Sequence, residues 1–184
     1  MGIKVAIQGI QGSFHHQVAH RYFGDAIGLD ECVTFRDVAY SLKNNQSDKA
    51  IMAIENSIAG AILPNYALID SYDLHIIGEH FLDIHMNLMV LPCQTIEDIK
   101  EVHSHPIALL QCANFFSQYP HIKLVESSDT AITAKRIQEN QLRGIGALAG
   151  PVASEIYNLE IIADGIHTVK SNKTRFVVLK ASNK

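Results

Sequence analysis

The stretch Leu74-His75-Ile76-Ile77-Gly78-Glu79-His80-Phe81-Leu82-Asp83-Ile84-His85-Met86-Asn87-Leu88-Met89-Val90-Leu91 decides the architecture. It is long, rich in β-forming residues and studded with His75, His80 and His85, so it reads as one or two extended strands. On either side the pattern is a short alternation of strand and helix. Upstream, residues 3–8 form a β-rich run that stops at Gly9, and Ser13 looks like the N-cap of a helix reaching about residue 23. Residues 33–35 read as a second strand and 37–44 as a second helix. Residues 50–54 are a continuously apolar run of the kind a buried parallel strand needs. A further helix starts near Gly60, with Pro64 tolerated in its first turn. Downstream the alternation resumes: strand 102–104, helix 107–119, strand 123–126, helix 129–140, strand 144–149, helix 151–158, extended 159–163, and a closing strand 174–180.

Repeated strand–helix units predict mostly parallel, doubly wound sheets. A long β segment in mid-chain and a lone closing strand divide them, so the expected fold is α/β with two doubly wound lobes around a cleft. Residues 74–91 carry the crossing, and the last strand returns to the first lobe. The expected lobes are residues 1–77 with 163–184, and residues 78–162.

The 184 residues are enough to hide about 70% of the unfolded surface. Apolar residues make up 47% and charged residues 18%, against about 25% charged in ordinary domains, which excludes a disordered chain. Net charge is −4 from 15 basic and 19 acidic residues with no basic cluster, so neither nucleic acid nor a membrane surface has electrostatic support as a partner. No run approaches the roughly 20 apolar residues of a membrane span. The first residues enter a strand without signal-peptide anatomy, and Cys32, Cys93 and Cys112 are odd in number with no CxxC pair. Both point to a cytoplasmic protein with reduced thiols. The histidines His15, His16, His103 and His105 lack ligand spacing, so no metal is expected.

Four segments carry candidate chemistry, each with a plainer reading beside it. Gly9-Ile10-Gln11-Gly12-Ser13-Phe14 follows a strand and opens a helix, where free N–H groups and the helix dipole suit a carboxylate or phosphate; a simple βα turn is the alternative. It lacks the third glycine of a dinucleotide site and the lysine of a P-loop. Ile54-Glu55-Asn56-Ser57-Ile58-Ala59-Gly60 places polar groups at the carboxyl end of a parallel strand, where open α/β sheets bind ligands. Helix capping by Asn56 or Ser57 is the competing account. Ser104-His105-Pro106 leads to Gln111 and Cys112 in the second half; a cysteine in an apolar helix is more often core than nucleophile. Thr174-Arg175-Phe176 begins the last strand, where Arg175 either receives a carboxylate bidentately or pairs at the surface.

Taken together and in this order, these segments resemble the prephenate dehydratase family, with Asp129-Thr130-Ala131 and Ala153-Ser154-Glu155-Ile156-Tyr157-Asn158-Leu159 adding to the match. The resemblance runs from Lys4 to about Leu179. The chain departs from the family pattern at Ile10, Gln11, Ser13 and Ile107. The resemblance implies a fold like type II periplasmic binding proteins and conversion of prephenate to phenylpyruvate without cofactor. It also implies a homo-oligomer of two or four chains, and the family's ACT regulatory domain is not expected in this chain. Thr174, Arg175, Asn56 and Gln111 are the implied catalytic residues; Ser13, Phe14, Ser57, Ser104, Thr130, Ala131 and Phe176 are the implied substrate contacts.

Within that resemblance the chemistry needs few charged groups. Prephenate loses its ring carboxylate and ring hydroxyl together and becomes aromatic. Thr174 is expected to assist the departing hydroxyl, Arg175 to neutralise a carboxylate, and Asn56 and Gln111 to orient the substrate. Phe14 and Phe176 are expected to give an apolar surround. The competing function is a noncatalytic small-anion binder of the same fold, since fold alone decides nothing between them.

Overall fold

The computed structural model describes residues 2–182. Met1 and the last two residues, which close the expected first lobe at either end, lie outside the described residues. The described residues divide into two compact units: residues 2–10, 14–84 and 171–182, and residues 11–13 and 85–170.

The first unit holds β1 (Lys4–Gln8), α1 (Phe14–Phe23), β2 (Gly28–Cys32), α2 (Phe35–Lys43), β3 (Lys49–Asn56), β4 (Gly60–Ala61), α3 (Leu63–Ser71) and β5 (Leu74–Asp83). In sheet order the strands run β2-β1-β3, all parallel, then the closing strand and β5, both antiparallel. Under one face lie Val38, Ala39 and Leu42 of α2 and Ile69 of α3. They pack with Met52, Ile54, Val177 and Leu179. Burial on this scale stabilises by about 1.5–3 kcal/mol per large side chain. Residues 33–35 are not the second strand. Thr34 instead caps α2 in a reciprocal box with Asp37, and the strand lies earlier, at β2.

The second unit holds β6 (Asn87–Val90), β7 (Glu101–Ser104), α4 (Pro106–Gln111), α5 (Ala113–Phe116), β8 (Lys123–Glu126), α6 (Thr130–Glu139), β9 (Ile145–Ala149), α7 (Pro151–Ile156) and β10 (Glu160–Ala163). Its order is β10-β6-β9-β7-β8, with β7, β8 and β9 parallel and β6 and β10 antiparallel. The closing strand, β11 (Lys173–Ala181), belongs to the first sheet. Each sheet therefore joins a parallel set to an antiparallel pair, where mostly parallel strands are expected from the alternation alone. The small residues of β9 have a cause: a Cβ on Gly146 would meet Leu88 Cδ1 at 2.7 Å.

The decisive stretch is two strands. β5 runs to Asp83 and pairs with β11 along its length, while β6 joins the other sheet. The expected change at 77/78 falls inside β5, and the contacts change units after Ile84. The return falls after Lys170 rather than at 163, because residues 164–170 are tied to the second unit. Gly165 N–H donates to Asn87 Oδ1 and Ile166 N–H to the carbonyl of Met86.

Candidate active site

In the first unit, antiparallel pairing sets Thr174 opposite Asn56 at the ends of β11 and β3. The amide of Asn56 has only one workable orientation. Its Oδ1 accepts the N–H groups of Ile58 and Ala59, both at 3.0 Å. Its Nδ2 must then point the other way, and it donates to Asn172 Oδ1 at 2.8 Å and Thr174 Oγ1 at 2.9 Å. Asn172 and Thr174 are buried, at 1% and 8% exposure. Because Thr174 Oγ1 receives a hydrogen bond from Asn56, its own O–H remains a donor for a further acceptor. Ser57 fastens the same corner, donating from Oγ to the carbonyl of Ser171 and accepting the N–H of Lys173.

In this structure the partners of Asn56 are all internal. Both of its amide hydrogens are used inside the cluster, so it holds Thr174 rather than presenting donors to a ligand. Asn172, buried beside it, has no place among the residues singled out from the sequence, although its position two residues before Thr174 was the available signal.

Arg175 lies elsewhere. Neighbouring residues of a strand face opposite sides, so it points away from Thr174. Its Nε and Nη2 reach Glu79 Oε2 at 2.9 and 2.8 Å, Nη1 lies 3.7 Å from Glu55, and the guanidinium sits 5.9 Å from the Phe81 ring. The hydrogen bond to Glu79 is the main reason its pKa is raised. In this structure Arg175 makes the surface pairing, with Glu79 and Glu55 as its partners. Phe176 is likewise core. It is 2% exposed and meets His15 edge-on at 5.0 Å. Phe14, the first residue of α1, is half-buried.

In the second unit, Gln111 ends α4 and its carbonyl accepts the N–H of Thr168 at 2.8 Å. Ser104 is buried and donates to the carbonyl of Leu148 at 2.7 Å; the cap of α4 is His105, whose Nδ1 accepts from Ile107 N–H. Asp129 caps α6, accepting N–H groups from Ala131 at 2.7 Å and Ile132 at 3.2 Å, while Thr130 and Ala131 are buried. Burial raises the Asp129 pKa above its ordinary value. Ser13 is buried, and the neighbouring Gly12 is shaped by packing. At φ +89° its Cβ position lies 3.2 Å from Ala153 Cα, and the Tyr157 hydroxyl donates to the carbonyl of Gln11 at 2.6 Å. The glycine of this loop is explained by α7, with no ligand required. Cys112 is buried and its thiol is pushed up to about 12, which removes it as a nucleophile. Among the described residues no three potential metal ligands converge, and no helix is long and apolar enough to cross a membrane.

Two mixed α/β units, each a parallel set completed by an antiparallel pair, define the architecture shared with solute-binding proteins. A periplasmic substrate-binding protein of a Coxiella burnetii ABC transporter superimposes with a TM-score of 0.50 at 13% identity, covering 98% of this chain and 85% of that one. Residues 5–184 match the prephenate dehydratase family, and the chain belongs to it. A bifunctional chorismate mutase/prephenate dehydratase of Buchnera aphidicola is 34% identical over 180 residues, covering 96% of this chain and 46% of that protein. The prephenate dehydratase structure from Staphylococcus aureus gives a TM-score of 0.81 at 25% identity, covering 97% of this chain and 66% of that one. The chain thus spans less than half the length of the curated relative it matches.

Proposed function

We propose that this chain converts prephenate to phenylpyruvate, acting as a carbon–oxygen lyase on the route to phenylalanine. The observation that carries the reading is the Asn56–Thr174 pair: a buried hydroxyl whose oxygen is held by an oriented amide and whose proton is available. As the C–CO₂ bond breaks, its electron pair enters the ring and the C–OH bond breaks. The departing hydroxide accepts a hydrogen bond from Thr174, and a proton taken up from the buffered solvent converts it to water. Threonine is a weak acid, so strong hydrogen bonding rather than full proton transfer is its part. Within the first unit, Ser57 supports this corner by fastening residues 171–173. No cofactor enters this chemistry.

Three unpaired cysteines fit the reducing conditions of the cytoplasm, and association into dimers or tetramers belongs to the same proposal. The direct test adds purified chain to prephenate and follows phenylpyruvate at alkaline pH, with arogenate as a parallel substrate. Product above the nonenzymatic rate is expected. A rate equal to that background would overturn the reading in favour of a noncatalytic anion binder.

A further inference from the structure

The residues just before β11 are fixed from two sides. Ser57 Oγ donates to the carbonyl of Ser171 at 3.1 Å and accepts the Lys173 N–H at 2.9 Å, and the Ser57 N–H donates to the carbonyl of Lys173 at 2.8 Å. Between them, the carbonyl of Asn172 accepts the N–H of Ile84 at 2.8 Å. The backbone around Asn172 is thus tied to two other segments of its own unit, and its side chain is buried at 1% exposure. From this anchored position Asn172 Oδ1 accepts one hydrogen of Asn56 Nδ2 at 2.8 Å. An amide nitrogen carries two hydrogens in fixed directions, so the one taken by Asn172 fixes the other, which goes to Thr174 Oγ1 at 2.9 Å. The carbonyl of Lys173, 3.4 Å from the same nitrogen, is too distant to replace Asn172.

We propose, on the dehydratase reading above, that Asn172 is a positioning residue: it sets the plane of the Asn56 amide and, through it, the direction in which Thr174 presents its proton. A hydroxyl assists a departing oxygen only when its O–H is aimed there, since a hydrogen bond weakens steeply as it bends. Ile58 and Ala59 hold the oxygen end of the Asn56 amide, and Asn172 holds the nitrogen end. Hydrogen bonds in such a chain polarise one another, so the Thr174 O–H at its end is a stronger donor for each link before it. Without Asn172, a buried hydrogen of Asn56 loses its partner, and the amide relieves that cost by turning from Thr174.

The test combines kinetics with side-chain amide exchange on the full chain. Asn172→Ala should lower kcat for prephenate roughly tenfold, the worth of about one hydrogen bond, with KM within about twofold. Asn172→Asp keeps an acceptor in the same place and should recover all but about threefold of that loss. In a Thr174→Val background the alanine change should cost less than about twofold, because the group it positions is gone. A residue that only holds the fold would lower the urea midpoint and add its loss in either background. The second readout needs no catalysis. By NMR, the Asn56 side-chain amide protons, identified by their disappearance in Asn56→Asp, should exchange slowly in the native chain and at least about tenfold faster in Asn172→Ala. Should the alanine variant fail to fold by circular dichroism, Asn172→Ser takes its place, with a hydroxyl that stops one bond short of the asparagine oxygen. A native chain that makes no phenylpyruvate but keeps slow exchange overturns the reaction and retains the Asn172–Asn56 link. Fast exchange in the native chain, or exchange indifferent to Asn172→Ala, overturns the link itself. Full kcat in Asn172→Ala, or a loss additive with Thr174→Val, overturns the positioning role.

Discussion

At the scale of single residues, the Asn56–Thr174 contact makes the sharpest demands. Thr174→Val keeps the shape and removes the hydroxyl, so kcat should fall by about 10²- to 10⁴-fold with KM little changed. A raised KM at normal turnover would make Thr174 a binding residue instead. Asn56→Ala should also lower kcat, but through Thr174. The double variant should therefore be no slower than Thr174→Val alone, and additive losses in that cycle would show that Asn56 acts independently. Arg175 gives the opposite expectation. Because its partners are Glu79 and Glu55 on the other side of the strand, Arg175→Lys should keep KM for prephenate within about twofold. A large rise in KM would return the arginine to the substrate. Asn56 and Thr174 were legible in the sequence because both stand in compact polar motifs at strand ends. The directions of Arg175 and Phe176 were not, since they depend on pairing with β3 and β5, partners more than 90 residues away in sequence.

At the scale of elements, capping and loop packing decide. Asp129→Ala removes the cap of α6 and should cost about 1 kcal/mol in urea unfolding at neutral pH. Asp129→Asn retains the oxygen that accepts from Ala131 and Ile132 while removing a half-buried charge. The sign follows from burial. The folded pKa is raised, so the stabilisation from this carboxyl is complete below the unfolded value near 4 and is lost as pH rises through the folded value. The asparagine variant should escape that loss and match or exceed the native chain at pH 7; a marked deficit would mean the charge itself is needed. Gly12→Ala should destabilise by roughly 1–3 kcal/mol, because positive φ is strained for alanine and the new Cβ meets backbone of α7. The glycine was visible in the sequence, but its reason was not: α7 approaches it from about 140 residues away. The shifted second strand has a more local cause. Val33-Thr34-Phe35 has strand-like composition, yet Thr34 with Asp37 three residues on is a capping box, and the cap prevailed.

At the scale of the molecule, two α/β units were legible because periodicity changes at residues 74–91 and a lone strand closes the chain. The unit limits were misplaced by several residues, since strand composition does not say which sheet a strand joins; that is fixed by pairing to β11 and β6. What holds the first unit together also sets its response to acid. His15 is buried between Phe35 and Phe176, and its Nε2 accepts the N–H of Ala53 at 3.2 Å, a contact only the neutral ring can make. Burial lowers its pKa to about 3, against an ordinary value of 6.5. The folded pKa is depressed, so the neutral ring's contribution is complete above pH 6.5 and is lost as the unfolded chain takes up a proton that the folded chain refuses. Each pH unit below 6.5 removes about 1.4 kcal/mol, or about 2 kcal/mol by pH 5. Other histidines titrate in the same range, so the measurement is a difference. Urea unfolding at pH 7 and pH 5 is compared between the native chain and His15→Gln, whose amide keeps an acceptor for Ala53 and does not titrate. The glutamine variant should be less stable at pH 7, having lost the ring contacts, yet should lose about 2 kcal/mol less on acidification. Equal acid losses in the two chains would mean that His15 protonates in the folded state, and that the core around Phe176 opens to water.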